Sequence, residues 1–170
     1  MSGVEVLRTG RLILRHLTEG DAPFVLELLN ERGFIDNIGD RGVRDLDGAR
    51  RYVTEGPGAS YQKYGYGLWL AALKATGEAI GICGLVKREG LEDADVGYAF
   101  LERSWGQGYA REAAAATLAH ARDAIGLAKV VAITAPGNAG SISVLLKIGM
   151  KAAGTIHLPN HGGESAYFTT

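Results

Sequence analysis

The order of its segments makes this an α/β protein: one domain over residues 1–170, with a mixed, mostly antiparallel twisted sheet flanked by helices. Three observations lead there. Two apolar runs, 67–73 and 79–86, are separated by a turn at Thr76-Gly77, the pattern of an antiparallel hairpin. A third run, 95–101, leads into a glycine loop that opens the clearest helical periodicity in the chain. A strand, a helix and a strand pair then complete the order.

The elements follow in sequence. Residues 11–15, Arg-Leu-Ile-Leu-Arg, read as an opening strand. Thr18 is placed to cap a helix, with Asp21 in its first turn and Phe24, Leu28 and Leu29 as its periodic residues. Residues 31–44 are rich in glycine and charge and read as a long loop; 47–52 reads as a second short helix, and Gly56-Pro57-Gly58 breaks the chain. The strand at 95–101 is entered through an acidic loop from Glu89 to Asp93. In the long helix Ala110, Ala114, Thr117, Leu118, Ala121 and Ile125 recur at helical spacing, and Gly126 suits the left-handed residue past its end. Residues 129–134 form a strand, 141–148 a helix and 152–158 a strand, and a turn at 159–163 leads to a last strand ending at 170.

Composition narrows the function classes. At 170 residues, 46% apolar and 22% charged, the chain supports one proper core. A net charge of −1 gives no basic balance for a nucleic-acid partner, and no apolar run reaches membrane-spanning length. The first residues lack the apolar stretch of a secretory leader, and the one cysteine, Cys83, rules out an internal disulfide. The expectation is a cytoplasmic protein with no nucleic acid and no membrane as partner. Cys83 lies within an apolar strand with no histidine close by, the setting of an inert small hydrophobe. His157 and His161 are four apart, but Pro159 between them denies a shared helical face, so no metal is expected.

The glycine loop carries the chemistry. Arg103-x-x-Gly106-x-Gly108 follows a strand and opens a helix. Glycines let a ligand approach the backbone, and a helix start offers unpaired N–H groups and the positive end of a dipole. Together these suit a phosphate, or else form a strand-to-helix turn that binds nothing. Two familiar phosphate loops do not fit. A dinucleotide fingerprint needs glycine where Arg111 stands and an acidic residue about twenty positions on, and 127–136 contains none. A P-loop needs Gly-Lys-Ser/Thr, and the chain has Gly108-Tyr109-Ala110.

The segment R-S-W-G-Q-G-Y-A-R-E-A resembles the acyl-CoA loop, Arg/Gln-x-x-Gly-x-Gly/Ala, of the GNAT N-acetyltransferases. T-G-R-L-I-L-R, V-G-Y-A-F-L and N-A-G-S-I-S-V-L-L-K-I-G-M are similar, in order and spacing, to the RimJ/RimL-like branch of that family. The likeness spans nearly the whole chain and is weakest over 34–66. Gln107 departs where lysine is frequent, and Met150 where phenylalanine is usual.

The resemblance implies a GNAT fold whose sheet is splayed between its central strands by a bulge in the strand before the loop. It implies acetyl-CoA as cosubstrate, no metal, and an amine acceptor, either a peptide N-terminus or a small amine; homodimers are common in such enzymes. Backbone groups of Tyr98, Ala99, Phe100 and Leu101 would meet the pantetheine arm and the thioester oxygen. The N–H groups of Trp105, Gly106, Gln107, Gly108, Tyr109 and Ala110 would hold the pyrophosphate. Arg103 and Arg111 either contact phosphates or are solvated surface charges. Asn138 would bond the pantetheine amides. Ser141 is a helix cap, a proton donor to the leaving thiolate, or both. Direct attack needs a neutral amine, hence a base. Asp95 is placed for that role, or is a solvent-facing carboxylate at a strand end. Tyr64, Tyr66 and Tyr98 shape the acceptor pocket or belong to the core, and Glu89, Glu92 and Asp93 attract a cationic amine or form a solvated turn. The alternative to an acetyltransferase is a non-catalytic acyl-CoA-binding module or sensor of the same fold.

Overall fold

A computed structural model describes residues 3–159 and 162–170. Eight strands form one sheet: β1 (Glu5–Arg8), β2 (Leu12–His16), β3 (Leu68–Leu73), β4 (Ala79–Val86), β5 (Ala94–Phe100), β6 (Val130–Thr134), β7 (Lys151–His157) and β8 (Glu164–Thr169). Their order across the sheet is β1-β2-β3-β4-β5-β6-β8-β7. Every neighbouring pair is antiparallel except β5 and β6, which run parallel.

β3 and β4 are apolar along their whole length because both faces are covered. Alternation sends Trp69, Ala71, Cys83, Leu85, Val96 and Phe100 to one core. That core also holds Ala113, Ala114 and Ala121, from the long helix α5 (Tyr109–His120) and the π turn that follows it, and Leu145 from α6 (Ala139–Lys147). Leu70, Ala72, Ile82, Ala99 and Leu101 go to a second core under α1 (Ala22–Leu29), α2 (Arg32–Asn37) and α3 (Leu46–Val53). The alanine face of α5 keeps the helix close to the sheet, and Met150 is a buried member of the first core.

Several expectations hold. Leu73 and Glu78 close the hairpin, with Gly77 at φ 78°. Asp21 accepts from the Thr18 N–H at 2.8 Å and ion-pairs with Arg15. The α5 segment ends at Gly126, left-handed at φ 85°, with the Leu127 N–H bonded to the Ala121 carbonyl.

Three readings are corrected. The 31–44 segment contains α2, anchored by buried Phe34, and is a loop only beyond it. Gly56-Pro57-Gly58 does not end the helical run: Thr54–Gly58 forms a π turn that joins α3 to α4 (Ala59–Tyr64). A widened turn accommodates a residue with no N–H to donate, and Pro57 is buried within it. β1 escapes a periodicity reading because it is a four-residue edge strand whose ends are charged. In the turn expected at 159–163, Asn160 and His161 lie outside the described residues.

Candidate active site

β5 and β6 pair only at Ala94↔Val130 and Asp95↔Val131, after which β6 follows β8 as far as Thr134↔Ala166. The sheet therefore opens beyond Asp95. The β4–β5 ladder runs from Val86↔Asp95 to Gly81↔Phe100 with no register shift, so the opening comes from divergence of β6 and not from the bulge in β5 that family likeness suggested. Leu101 donates its N–H to Ile80, on the β4 side. Strand alternation then turns the backbone groups of Val96, Tyr98 and Phe100 toward the gap and those of Ala99 and Leu101 away from it. Leu101 is fully buried and its N–H is occupied, which removes it from the expected contacts.

A cavity of about 650 Å³ runs through this opening. At its α5 end stands the glycine loop. A 3-10 turn, Glu102–Ser104, is closed by Ser104 N–H to Leu101 and Trp105 N–H to Glu102, so the Trp105 N–H is not free for a ligand. Gly106 and Gly108 have φ of 75° and 83°, where a side chain is strained. The first helical bond of α5 runs from the Glu112 N–H to the Gly108 carbonyl. The N–H groups from Gly106 to Arg111 thus have no backbone partner among the described residues, and they sit at the positive end of a twelve-residue helix. That is a cradle for an anion.

What fixes the cradle is Arg11, whose part in T-G-R-L is not evident from sequence. Its guanidinium donates to the Gln107 carbonyl at 2.9 Å, ion-pairs with Glu112 at 2.8 Å and stacks over the Tyr109 ring at 4.3 Å. Glu112 also accepts from the Arg11 N–H and the Thr9 hydroxyl. Burial raises the Glu112 pKa, but the bonds from Thr9 and Arg11 outweigh it and hold the carboxyl below its ordinary range. Trp105 donates its indole N–H to Phe100 and lies against Gly33 so closely that a Cβ there would sit 2.5 Å from its ring.

Arg103 points away from the cavity, paired with Glu27 at 2.8 Å and Glu78 at 3.2 Å. These pairs tie the loop to α1 and the hairpin. Gln107 also lies off the cavity wall, whereas Arg111 and, unforeseen, Lys147 line it.

Midway along the cavity, Tyr98 and Ser141 meet. The Tyr98 hydroxyl lies 3.0 Å from Ser141 Oγ and 3.3 Å from the Ser141 carbonyl. Burial pushes the Tyr98 pKa above its ordinary value, with the Ser141 bond opposing, so the phenol is neutral and able to donate. The cap of α6 is Asn138, whose Oδ1 accepts the Ser141 N–H at 3.2 Å; Ser141 occupies the third helical position and its hydroxyl is left for other work.

On the helical side the cavity is walled by Phe34, Asn37, Ile38, Arg41 and Tyr52, and Arg88 and Asp95 line it where β5 and β6 come together. Asp95 is 1% exposed and ion-paired with Arg88, which corrects the solvent-facing reading. Tyr66 belongs to the first core and Tyr64 stacks on it at 5.7 Å, outside this cavity. Glu89, Glu92 and Asp93 do not reach the wall, and Asp93 pairs with Lys129 at 3.7 Å. Cys83 is buried against the Thr117 hydroxyl, and burial pushes its pKa up to about 12. Among the described residues no group of three or more His, Cys, Asp or Glu gathers as a metal site, and no helix is long and apolar enough to cross a membrane. His161 lies outside the described residues.

A sheet splayed between parallel strands, with a glycine cradle at the start of the helix between them, is the architecture of an acyl-CoA-binding transferase. Residues 11–151 match the acetyltransferase (GNAT) domain, and the chain belongs to that family. YkkB of Bacillus subtilis (strain 168) is 35% identical over 159 residues, covering 92% of this chain and 91% of YkkB. The crystal structure of an acetyltransferase from Agrobacterium tumefaciens str. C58 superposes with a TM-score of 0.82 at 27% identity, covering 100% of this chain and 95% of that one. RimL, a ribosomal L7/L12 α-N-protein acetyltransferase solved with coenzyme A, shares the fold at a TM-score of 0.79 and 18% identity, over 98% and 97% of the two chains.

Proposed function

We propose that residues 1–170 act as one cytoplasmic acetyl-CoA-dependent N-acetyltransferase, moving an acetyl group from the thioester to a primary amine by direct attack in a ternary complex. The observation that carries this reading is one continuous cavity with the open N–H cradle at one end, the Tyr98–Ser141 pair in its middle and a walled acceptor end beyond. Acetyl-CoA supplies the activated acyl group. The RimL structure with coenzyme A supports its place in this fold.

The chain's residues divide the work. Gly106, Gln107, Gly108, Tyr109 and Ala110 offer their N–H groups to the pyrophosphate, with Arg111 and Lys147 as added positive charge. Asn138, its Oδ1 spent on the cap, keeps its amide NH₂ for a pantetheine carbonyl. The gap-facing backbone N–H groups of β5 polarise the thioester oxygen. Asp95 is the one carboxylate among the described residues lining the cavity, and no described histidine joins it. It receives the amine proton, directly or through one water, as the C–N bond forms. Collapse of the tetrahedral intermediate breaks the C–S bond, and Ser141, backed by Tyr98, delivers a proton to the departing thiolate.

Calorimetry with CoA, NAD and ATP, followed by a thiol-release assay on an amine panel, tests the reading. CoA binding with amine-dependent thiol release is expected. Binding of NAD or ATP without CoA overturns it, and CoA binding with no turnover on any amine reduces it to an acyl-CoA sensor.

A further inference from the structure

The acceptor end of the cavity has an uneven charge. Arg41 lines it, exposed, and makes no hydrogen bond or ion pair among the described residues. Arg88 lines it too, held from behind by the buried Asp95 carboxylate. Tyr52 lines it with them, a half-buried side chain whose hydroxyl has no hydrogen-bond partner among the described residues. Burial raises the Tyr52 pKa against the pull of Arg41 and Arg88, so this hydroxyl remains a donor. The same three residues also border an adjoining depression of about 390 Å³, which adds Lys63 and Lys87 and one carboxylate, Glu55. Lys87 is engaged with the Leu91 carbonyl. The acceptor end as a whole therefore carries Arg41, Lys63, Lys87 and Arg88 against Asp95 and Glu55, and Asp95 is already committed to Arg88.

We infer that the acceptor is an amine bearing a negatively charged group, carboxylate or phosphate, and that Arg41, Arg88 and Tyr52 bind that group. The inference rests on the transferase reading of the cavity. An exposed guanidinium fork can only donate and a neutral phenol has an O–H to donate, and together they match an oxyanion. A polyamine or aminoglycoside would bring several positive charges to a wall that already has an excess of them.

The test compares acceptors that share a nucleophile and differ in charge. Thiol release is measured for Ser-Glu, Ser-Gln and Ser-Lys dipeptide amides, for O-phosphoethanolamine against ethanolamine, and for spermidine. The anionic member of each set is expected to show a kcat/KM about tenfold above its neutral twin, with the cationic ones lower still. Whether Ser-Glu amide or O-phosphoethanolamine gains more separates carboxylate from phosphate. Arg41→Gln is expected to remove about tenfold of that preference, and Arg41→Glu to reverse it, with CoA affinity as the check that the protein is folded. Calorimetry of the same pairs on CoA-saturated protein reads the preference without turnover. A protein that binds the acidic twin through Arg41 yet turns nothing over sinks the transferase reading and keeps this one. Equal handling of charged and neutral twins, a preference for spermidine, or a preference untouched in both Arg41 variants overturns it.

Discussion

The cofactor end and the acceptor end of this cavity are built from different materials. At the proposed cofactor end the groups on offer are backbone N–H donors from consecutive residues, Gly106 to Ala110, shaped by two left-handed glycines and the start of α5. At the proposed acceptor end they are side chains brought from separate elements: Arg41 from between α2 and α3, Tyr52 from α3, Arg88 from beyond β4 and Asp95 from β5. A backbone cradle tolerates substitution of everything except its conformation, whereas a side-chain wall changes specificity with single replacements.

The largest effect on that comparison should come from the loop. Gly106→Val or Gly108→Val forces a β-branched residue into a left-handed conformation that costs about 1–3 kcal/mol. Either change should weaken CoA binding by about tenfold or more in calorimetry. Gly106 is the cleaner probe, because an added Cβ meets nothing within 4 Å and the effect is conformational alone; at Gly108 it would touch the Arg11 guanidinium at 3.4 Å. Unchanged affinity in both variants would remove the pyrophosphate from this loop.

Next in size are the groups between the two ends. Ser141→Ala and Tyr98→Phe should each lower kcat by about tenfold or more, the small end of acid catalysis, with little change in CoA affinity. Because burial favours the neutral phenol, the Tyr98 proton is present at every pH below its raised value and lost above it. The wild-type rate should therefore show no alkaline decline assignable to Tyr98 below the ordinary tyrosine range. A decline centred below pH 9 that disappears in Tyr98→Phe would break the assignment.

A smaller effect is expected from the brace. Arg11→Ala removes the bond to Gln107 and the pair with Glu112, but the side chain is about half exposed, so screening limits the loss. A rise of about threefold to fivefold in KM for acetyl-CoA, with kcat unchanged, is the expected reading. Arg11→Lys should recover only part of it, since a point charge cannot reproduce the fork and the stacking on Tyr109. Smallest of all, Cys83 should resist thiol reagents in the folded protein at pH 8, since burial holds its thiol far above that pH; rapid labelling would show that the first core opens.

The parts of the fold that were legible in the sequence are those set by neighbours along the chain. The hairpin at Thr76-Gly77, the long helix and its stop at Gly126 follow from turn chemistry and periodicity. Elements that rely on distant support were not legible. α2 persists in a glycine- and charge-rich segment because Phe34 is buried and Gly33 admits the Trp105 ring, contacts made across about seventy residues. α3 and α4 run on through Pro57 because a π turn absorbs the missing donor.

The site divides in the same way. The sequence by itself determined the shape of the glycine loop, since an anion cradle needs only adjacent residues: glycines free to turn left-handed and a helix that starts immediately after them. It also singled out Asn138, Ser141 and Asp95 without fixing what each would touch. Tertiary structure decided that Asn138 is the cap and that Ser141 pairs with Tyr98, 43 positions away. It turned Arg103 from the phosphate toward Glu27 and Glu78, and gave Arg11 the loop to hold from 96 positions off. The reason is physical. Backbone conformation is set by local sterics, but the partner of a charged or hydroxyl side chain is whichever group the packed sheet brings within about 3 Å.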